Sequence, residues 1–303
     1  MAITLTQISN NKKLLGSLYS FTVSFTFCLH FFVAKDVLQT ISPIVLGGMR
    51  GVFGGLLLYA IYFRQIKGHL NPRSLTLLIA IAFFGYFINQ ILFLNGLKRS
   101  TPLNTSIIMN MIPIVAALIA MAFKVESFSW KKIGGSIIGF ATLFFLTLYT
   151  SKHDLDVAKT GDLLIFSSVI TLCTGTMLTR MLVKTGFPSP IISASMLFLG
   201  GLGLSCLEID KLWTLVDYSL ASDINLAKII FEIVISTAFT YLLSFKALSY
   251  LPPSQSMVFI YLQPLMVAGI DYVIYSKIPP LILIPIFIGV GISTYIVMAQ
   301  ESH

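Results

Sequence analysis

ALSYLPPSQSMVFIYLQP, residues 247–264, repeats a pattern the chain has already used at residues 96–113, GLKRSTPLNTSIIMNMIP. One ungapped offset of 151 residues, the separation of Pro113 from Pro264, superimposes the two. Leu97 then meets Leu248, Pro102 meets Pro253, Ala117 meets Ala268 and Ile119 meets Ile270. Few identities survive, but the layout does: a short polar turn with proline, an apolar run, and a second proline within that run. An internal repeat decides the architecture before any site is considered.

Composition places these repeats in lipid. Charged residues are 11% of the sequence, against about 25% in a soluble domain. Hydrophobic residues are 56% and mean hydropathy is +0.89. A helix needs about 20 apolar residues to cross the hydrocarbon of a bilayer. Ten such runs fit, near residues 14–34, 43–63, 75–95, 103–123, 133–150, 162–182, 190–208, 226–245, 254–275 and 281–299. The expected fold is therefore an all-α polytopic membrane protein with ten transmembrane helices and no separate soluble domain. Its expected surroundings are the lipid bilayer of the inner (plasma) membrane. Short connections carry helix breakers, among them Pro43, Asn71-Pro72, Pro102 and Pro252-Pro253. Lys12 and Lys13 precede the first run, which is too long for a leader peptide and has no small-residue cleavage site after it.

The most polar connection, SKHDLDVAKTG at residues 151–161, divides the chain into five spans plus five, residues 1–150 and 151–303. An odd number of spans makes the second copy enter from the opposite face, so the halves read as inverted five-helix repeats. An offset of 145 in the first span of each half puts Gly16 on Gly161, Cys28 on Cys173 and Lys35 on Arg180. The loop Lys and Arg residues favour N-in, C-in, 11 against 8. The formal charge of +8 lies in these connections, which reads as topology and not as a nucleic-acid surface. Cys28, Cys173 and Cys206 lie in or beside apolar runs and read as small packing residues, with no disulfide or metal framework. Inverted repeats around a midplane site are a recurring transporter plan.

The five-plus-five layout, the Pro-centred fourth and ninth spans and the run LKRSTPLNTSIIMNMIPIVAALIAMAFKVESFSWKKIGGSIIGF at residues 97–140 resemble the EamA-type transporters of the drug/metabolite transporter superfamily. The loop Glu126 and the fifth-span Gly134, Gly135 and Gly139 fit that resemblance. Lys277 stands at the equivalent of Glu126 and departs from it. The resemblance implies a ten-helix monomer or homodimer, with a central cavity lined mainly by spans 1, 3, 4, 6, 8 and 9 and with spans 5 and 10 peripheral.

Polar side chains in lipid turn inward, so they nominate the cavity. Tyr86, Asn89, Gln90 and Phe93 share one helical face of the third span. At the 151 offset Asn89 falls on Thr240, Gln90 on Tyr241 and Asn110 on Tyr261, so polar positions recur where identity does not. With Gln263, these are the candidate substrate-binding residues; interhelical hydrogen bonds that fix packing are the alternative reading. Pro113 and Pro264 free a carbonyl four residues back and are candidate hinges. They should lie on either side of one cavity. Gly47, Gly51 and Gly55, with Gly48 and Gly54 beside them, should admit a closely packed helix.

Arg50, Glu232 and Asp271 lie within apolar runs. Such charges are costly in lipid, so they read either as fixed ion pairs or as the groups that couple transport to a proton gradient, with His30 a further candidate. The expected function is secondary transport of a small polar or amphipathic metabolite, such as an amino acid or a nucleoside-like compound, by export or exchange. A membrane assembly protein is the alternative. An intramembrane enzyme is disfavoured, since no HExxH, GxSxG or Walker loop occurs and Gly269-Ile270-Asp271 is only half of an aspartyl-protease pattern. No cofactor and no metal is expected.

Overall fold

The computed structural model describes residues 5–65, 71–123 and 159–275, with isolated residues between 130 and 141 and between 288 and 296. The expected fifth and tenth spans, Glu126, Gly139 and Lys277 lie outside the described residues, as do the side chains of Pro113 and Asp271. Among the described residues the chain is helical throughout, with no strand.

Seven described stretches are long and apolar enough to cross a membrane. The first span is α1 (Leu5–Val37) and the second α2 (Pro43–Tyr62). The third runs α3 (Pro72–Ala82), a π-helical stretch Phe83–Ile88 and α4 (Asn89–Arg99). The sixth and seventh are α7 (Lys159–Lys184) and α8 (Ser189–Leu207). After a short surface helix α9 (Trp213–Leu220), the eighth runs α10 (Asp223–Ile230), a π-helical stretch Phe231–Phe239 and α11 (Thr240–Tyr250). The ninth runs α12 (Pro253–Met257), a 3-10 stretch Val258–Leu262 and α13 (Gln263–Tyr275). The fourth expected run is present as two pieces, α5 (Pro102–Met109) and α6 (Ile112–Ala122), separated by a turn at Asn110 and Met111. Starts carry the signals the sequence shows. Asn71 caps α3 in a reciprocal capping box with Ser74, and proline opens α2, α3, α5 and α12.

The repeat extends to the helix defects. At the 151 offset the π stretch Phe83–Ile88 falls within Phe231–Phe239, and both end one residue before an α-helix, at Asn89 and at Thr240. The turn at Asn110 and Met111 falls on Tyr261 and Leu262, the end of the 3-10 stretch. Helix resumes at Ile112 and at Gln263, with Pro113 and Pro264 one residue in. The prolines thus act as restarts after a break, a position that tolerates their missing N–H. Cys28 Sγ donates to the carbonyl of Gln263 at 3.6 Å and Cys173 Sγ to that of Ile112 at 3.7 Å, so the repeat-related cysteines meet repeat-related breaks.

Packing obeys the same two-fold relation. α1 lies along α11 as α7 lies along α4, α2 packs on α8, and the broken fourth and ninth spans pack together through α5 with α13 and α6 with α12. α2 and α8 run antiparallel, since Gly48 meets Ser205, Gly51 meets Gly201 and Gly55 meets Phe198. A Cβ on Gly51 would stand 2.6 Å from the Gly201 Cα, and a Cβ on Gly201 2.6 Å from the Gly51 Cα. The helix faces divide as lipid requires. On α1, Leu14, Leu18, Phe21 and Phe25 form the exposed stripe, while Ser20, Ser24 and Phe31 are buried on the other side.

Overpacking at a backbone-to-backbone contact costs about 1–3 kcal/mol or more. Gly201→Val is expected to lower the melting temperature in detergent, whereas Gly269→Ala, where nothing among the described residues lies within 4 Å of the added Cβ, leaves it in place. Thermal unfolding followed by tryptophan fluorescence distinguishes the two.

Candidate functional site

Call the side where α1 begins the near face and the side where it ends the far face. In the far half, Arg50 of α2, His30 of α1 and Glu232 of the eighth-span π stretch converge, each at most 1% exposed. Arg50 Nε lies 3.2 Å from Glu232 Oε2 and donates to Thr237 Oγ1 at 2.8 Å. Its other nitrogens reach Ser236 Oγ at 3.2 Å and His30 Nε2 at 3.4 Å. His30 Nδ1 is 2.9 and 3.0 Å from the two Glu232 oxygens. An arginine can only donate, so Nε2 is the accepting ring nitrogen and Nδ1–H donates to the carboxylate. Ser236 Oγ adds a bond to Glu232 Oε2 at 3.0 Å.

The π geometry shapes this cluster. Thr237 Oγ1 donates to the Glu232 carbonyl at 2.6 Å and Thr240 Oγ1 to the Ile235 carbonyl at 2.7 Å, each five residues back. π-bulges recur at functional sites because the extra residue per turn re-aims the side chains that follow.

A cavity of about 70 Å³ lies between the midplane and the near face. It is lined by Ser20, Ser24 and Phe27 of α1, Gly85, Thr176 of α7, Met196 of α8, Thr240, Tyr241, Ser244 and Phe245 of the eighth span, and Ser256, Met257 and Ile260 of the ninth. Ser20 and Ser256 hydroxyls are 3.0 Å apart across it. The described lining carries hydroxyls and apolar groups and no ionisable carboxylate or ammonium. Among the described residues it draws on the first, third, sixth, eighth and ninth spans and, through Met196, on the seventh. Phe27, Tyr86, Phe93 and Tyr241 separate it from the charged cluster: the His30 and Phe93 rings stack at 5.9 Å, and Tyr241 meets Tyr86 at 5.8 Å and Phe27 at 6.5 Å.

Of the residues nominated from sequence, Thr240 and Tyr241 line the cavity. Gln90 Nε2 donates to the Tyr241 hydroxyl at 3.2 Å. These two are repeat equivalents, and equivalents that touch must straddle the two-fold axis. Tyr86 donates to the Gly47 carbonyl at 2.9 Å and Asn89 Nδ2 to the Ser168 carbonyl at 2.9 Å, bonds that tie the third span to α2 and α7. Asn110, at the break in the fourth span, is fully buried, and neither of its side-chain polar atoms has a partner among the described residues. Gln90 Oε1 and Gln263 Oε1 are likewise buried without partners. Tyr261 and Pro264 are buried in the ninth span. Arg50 and Glu232 come together; Asp271 is outside the described side chains. Ser20, Ser24, Thr176, Ser244 and Ser256 were not nominated. The spacing of Ser20 with Ser24 and of Thr240 with Ser244, four residues apart on one helix face, was the available signal.

Known proteins share this plan. The model of the EamA-like transporter family matches residues 14–148 and again residues 159–299. A Chlamydia trachomatis S-adenosylmethionine/S-adenosylhomocysteine transporter is 22% identical over 136 residues, 45% of this chain and 42% of that protein. The uncharacterized transporter YyaM of Bacillus subtilis is 26% identical over 165 residues, 52% of this chain and 53% of that one. A WAT1-related chloroplastic protein of Arabidopsis thaliana is 25% identical over 182 residues, 58% of this chain and 43% of that one. The chain thus spans about half the length of the curated relatives it matches. One solved crystal structure superimposes with a TM-score of 0.73 at 14% identity, over 94% of this chain and 95% of the other, a likeness of fold.

Removing one member of a buried ion pair strands the other, at a cost of about 3–5 kcal/mol, whereas replacing both by apolar groups is often neutral. Arg50→Met is expected to lower the detergent melting temperature strongly, and Arg50→Met with Glu232→Leu to restore most of it. A double variant no more stable than the single one rules out the pairing.

Proposed function

The chain belongs to the EamA-like transporter family, and on that premise we propose that it is a secondary transporter of a small amphipathic metabolite, working by alternating access around the cavity beside Tyr241. The family and the seven apolar helices make it a multi-pass membrane protein, of the plasma membrane. In the proposed arrangement ten helices form two inverted repeats, residues 1–150 and 151–303, with both termini in the cytoplasm.

The observation that carries the mechanism is the touching of repeat equivalents, Gln90 with Tyr241, next to a cavity that lies on one side of them only. A symmetric architecture holding an asymmetric cavity is one state of two, and exchanging the conformations of the halves moves the opening to the other face. The lining supports a substrate with hydrogen-bonding groups and an apolar body: hydroxyls from Ser24, Thr176, Ser244 and Ser256 face Phe27, Met196, Phe245 and Met257. Amide atoms without a partner among the described residues, Gln90 Oε1, Gln263 Oε1 and both polar atoms of Asn110, add acceptors and a donor that a substrate or water completes. S-adenosylmethionine and S-adenosylhomocysteine, in the name of the Chlamydia relative, join an amino acid to a nucleoside, so free amino acids, nucleosides and their conjugates make the first panel. Export or exchange is the proposed direction. Coupling to protons through Glu232, which faces His30 and Arg50, is the proposed driving force.

Reconstitution into liposomes and uptake of that labelled panel, with and without a pH gradient, tests the proposal. At least one member is expected to show saturable flux. Ser244→Trp, which fills the cavity, is expected to abolish it, and Phe25→Trp on the lipid-facing side of α1 to leave it unchanged. Saturable flux that survives Ser244→Trp would place the pathway elsewhere. Flux by Glu232→Gln with undiminished proton dependence would remove Glu232 from the coupling.

A further inference from the structure

The repeat equivalences convert the cavity into a statement about the opposite half. At the 145 offset Ser20 and Ser24 correspond to Ile165 and Val169; at 151, Ser244, Phe245 and Leu248 correspond to Phe93, Leu94 and Leu97. All five counterparts are buried, none more than 4% exposed, and they belong to one core cluster. Where the near half has hydroxyls around a space, the far half has large apolar side chains packed together.

The charged cluster is one-sided in the same sense. His30 corresponds to Gly175, and Glu232 to Ile81. Arg50 corresponds to Gly200, by the offset of 150 that pairs Gly51 with Gly201. Gly175 lines the cavity, and Gly200 packs on Tyr86 and Ala82. Near the other face, therefore, the positions equivalent to an arginine, a glutamate and a histidine hold two glycines and an isoleucine. The far face carries further ties between spans: Lys228 to Asp36 at 2.6 Å, Ser42 to Glu208, and Lys35 to the last carbonyls of α4.

We propose that the His30–Arg50–Glu232 network is a latch that holds the far half shut, that it has no counterpart in the near half, and that its members line the substrate path when the far half opens. The proposal rests on the alternating-access reading above. α1, α2 and the eighth span are the helices the network joins. At the counterpart positions the near half brings its helices together on glycine, Gly175 on Gly85 and Gly200 on Tyr86 and Ala82, an approach that the side chains of His30, Arg50 and Glu232 leave no room for. A far half that takes the near-half conformation must therefore swing these side chains out of their present contacts and toward the opening, where the counterpart Gly175 lines the cavity, and this hydrates both charges. Because the near half has no equivalent network to break, the latch biases the resting protein toward the state with the near-side cavity. Substrate leaving or entering by the far side meets the guanidinium, the carboxylate and the imidazole, whereas on the near side it meets hydroxyls.

Alkylation by N-ethylmaleimide in detergent reads this directly. Single reporter thiols are placed by Ser244→Cys, which lines the cavity, and by Val169→Cys, fully buried in the far half. Both are made in a Cys206→Ser background, the other two cysteines being buried. Each reporter is measured with the native network and with both charges removed together by Arg50→Met and Glu232→Gln. Loss of the latch is expected to accelerate alkylation at position 169 by about tenfold, the change in an equilibrium that a modest differential interaction produces, and to slow it at position 244. Unchanged rates at both positions, or faster rates at both, overturn the latch, the second outcome marking a merely structural network. If the double variant elutes as aggregate, Arg50→Lys, which keeps the charge but loses the fork to Thr237 and Ser236, is expected to shift both rates in the same directions; no shift there overturns the proposal too. Flux blocked by Ser244→Trp with thiol rates that never move refutes the latch and leaves transport standing. Opposite shifts without any saturable flux do the reverse.

Discussion

Two helices approach until their backbones touch only where neither carries a Cβ, and the contact of Gly51 with Gly201 places that condition on the two-fold axis of the molecule. Lipid tails are as apolar as leucine, so the hydrophobic effect gives membrane helices little reason to associate, and close backbone packing takes over that role. With α2 and α8 locked, the neighbours have few choices. α1 lies on α11 and α7 on α4, and α7 meets the π stretch that precedes α4 by the same device, since a Cβ on Gly175 would stand 2.4 Å from the Gly85 Cα. The aperture beside Gly85 and Gly175 exists because glycine brings the helices together there without filling the space in front of them.

Hydrocarbon also dictates how the helices are interrupted. No water reaches a freed carbonyl inside the bilayer, so every irregularity must be met by a donor from the chain. Thr237 and Thr240 serve the π stretch of the eighth span, and the Cys28 and Cys173 thiols reach the carbonyls where the ninth and fourth spans resume. The thiol contacts are long and weak. Their value is in showing that the defects belong to the repeat, because each cysteine and each break has its twin.

The repeat was legible because proline writes helix starts and breaks into sequence: Pro102 with Pro253 and Pro113 with Pro264 carried the register almost unaided. The matching π stretches were not legible, since no residue type demands a five-residue hydrogen bond. Charges were half legible. Arg50 and Glu232 announce themselves in apolar runs, yet their partnership with each other and with His30 depends on how three separate helices meet. The amide face of the third span is buried, where Asn89 spends its bond on α7 and Gln90 on Tyr241, pairings that spacing along one helix does not reveal. The serines of the cavity escaped notice for a physical reason. A lone hydroxyl in a membrane helix ordinarily satisfies itself on its own backbone, as Thr22 does on Leu18 and Ser167 on Leu163, and sequence does not distinguish those from hydroxyls that face a space.

The cavity and the charged network share two helices, and this couples them mechanically. α1 presents Ser20, Ser24 and Phe27 to the cavity and, less than one turn beyond Phe27, His30 to Glu232. The eighth span presents Glu232 and Thr237 to Arg50 and, one turn beyond Thr237, Tyr241 and Ser244 to the cavity. The aromatic layer of Phe27, Phe93 and Tyr241 lies at the crossing between them. Under the alternating-access proposal this shared helix pair is the link between the two ends: any rotation about the aromatic layer moves the hydroxyls at one end and the charges at the other together, so neither end changes without the other.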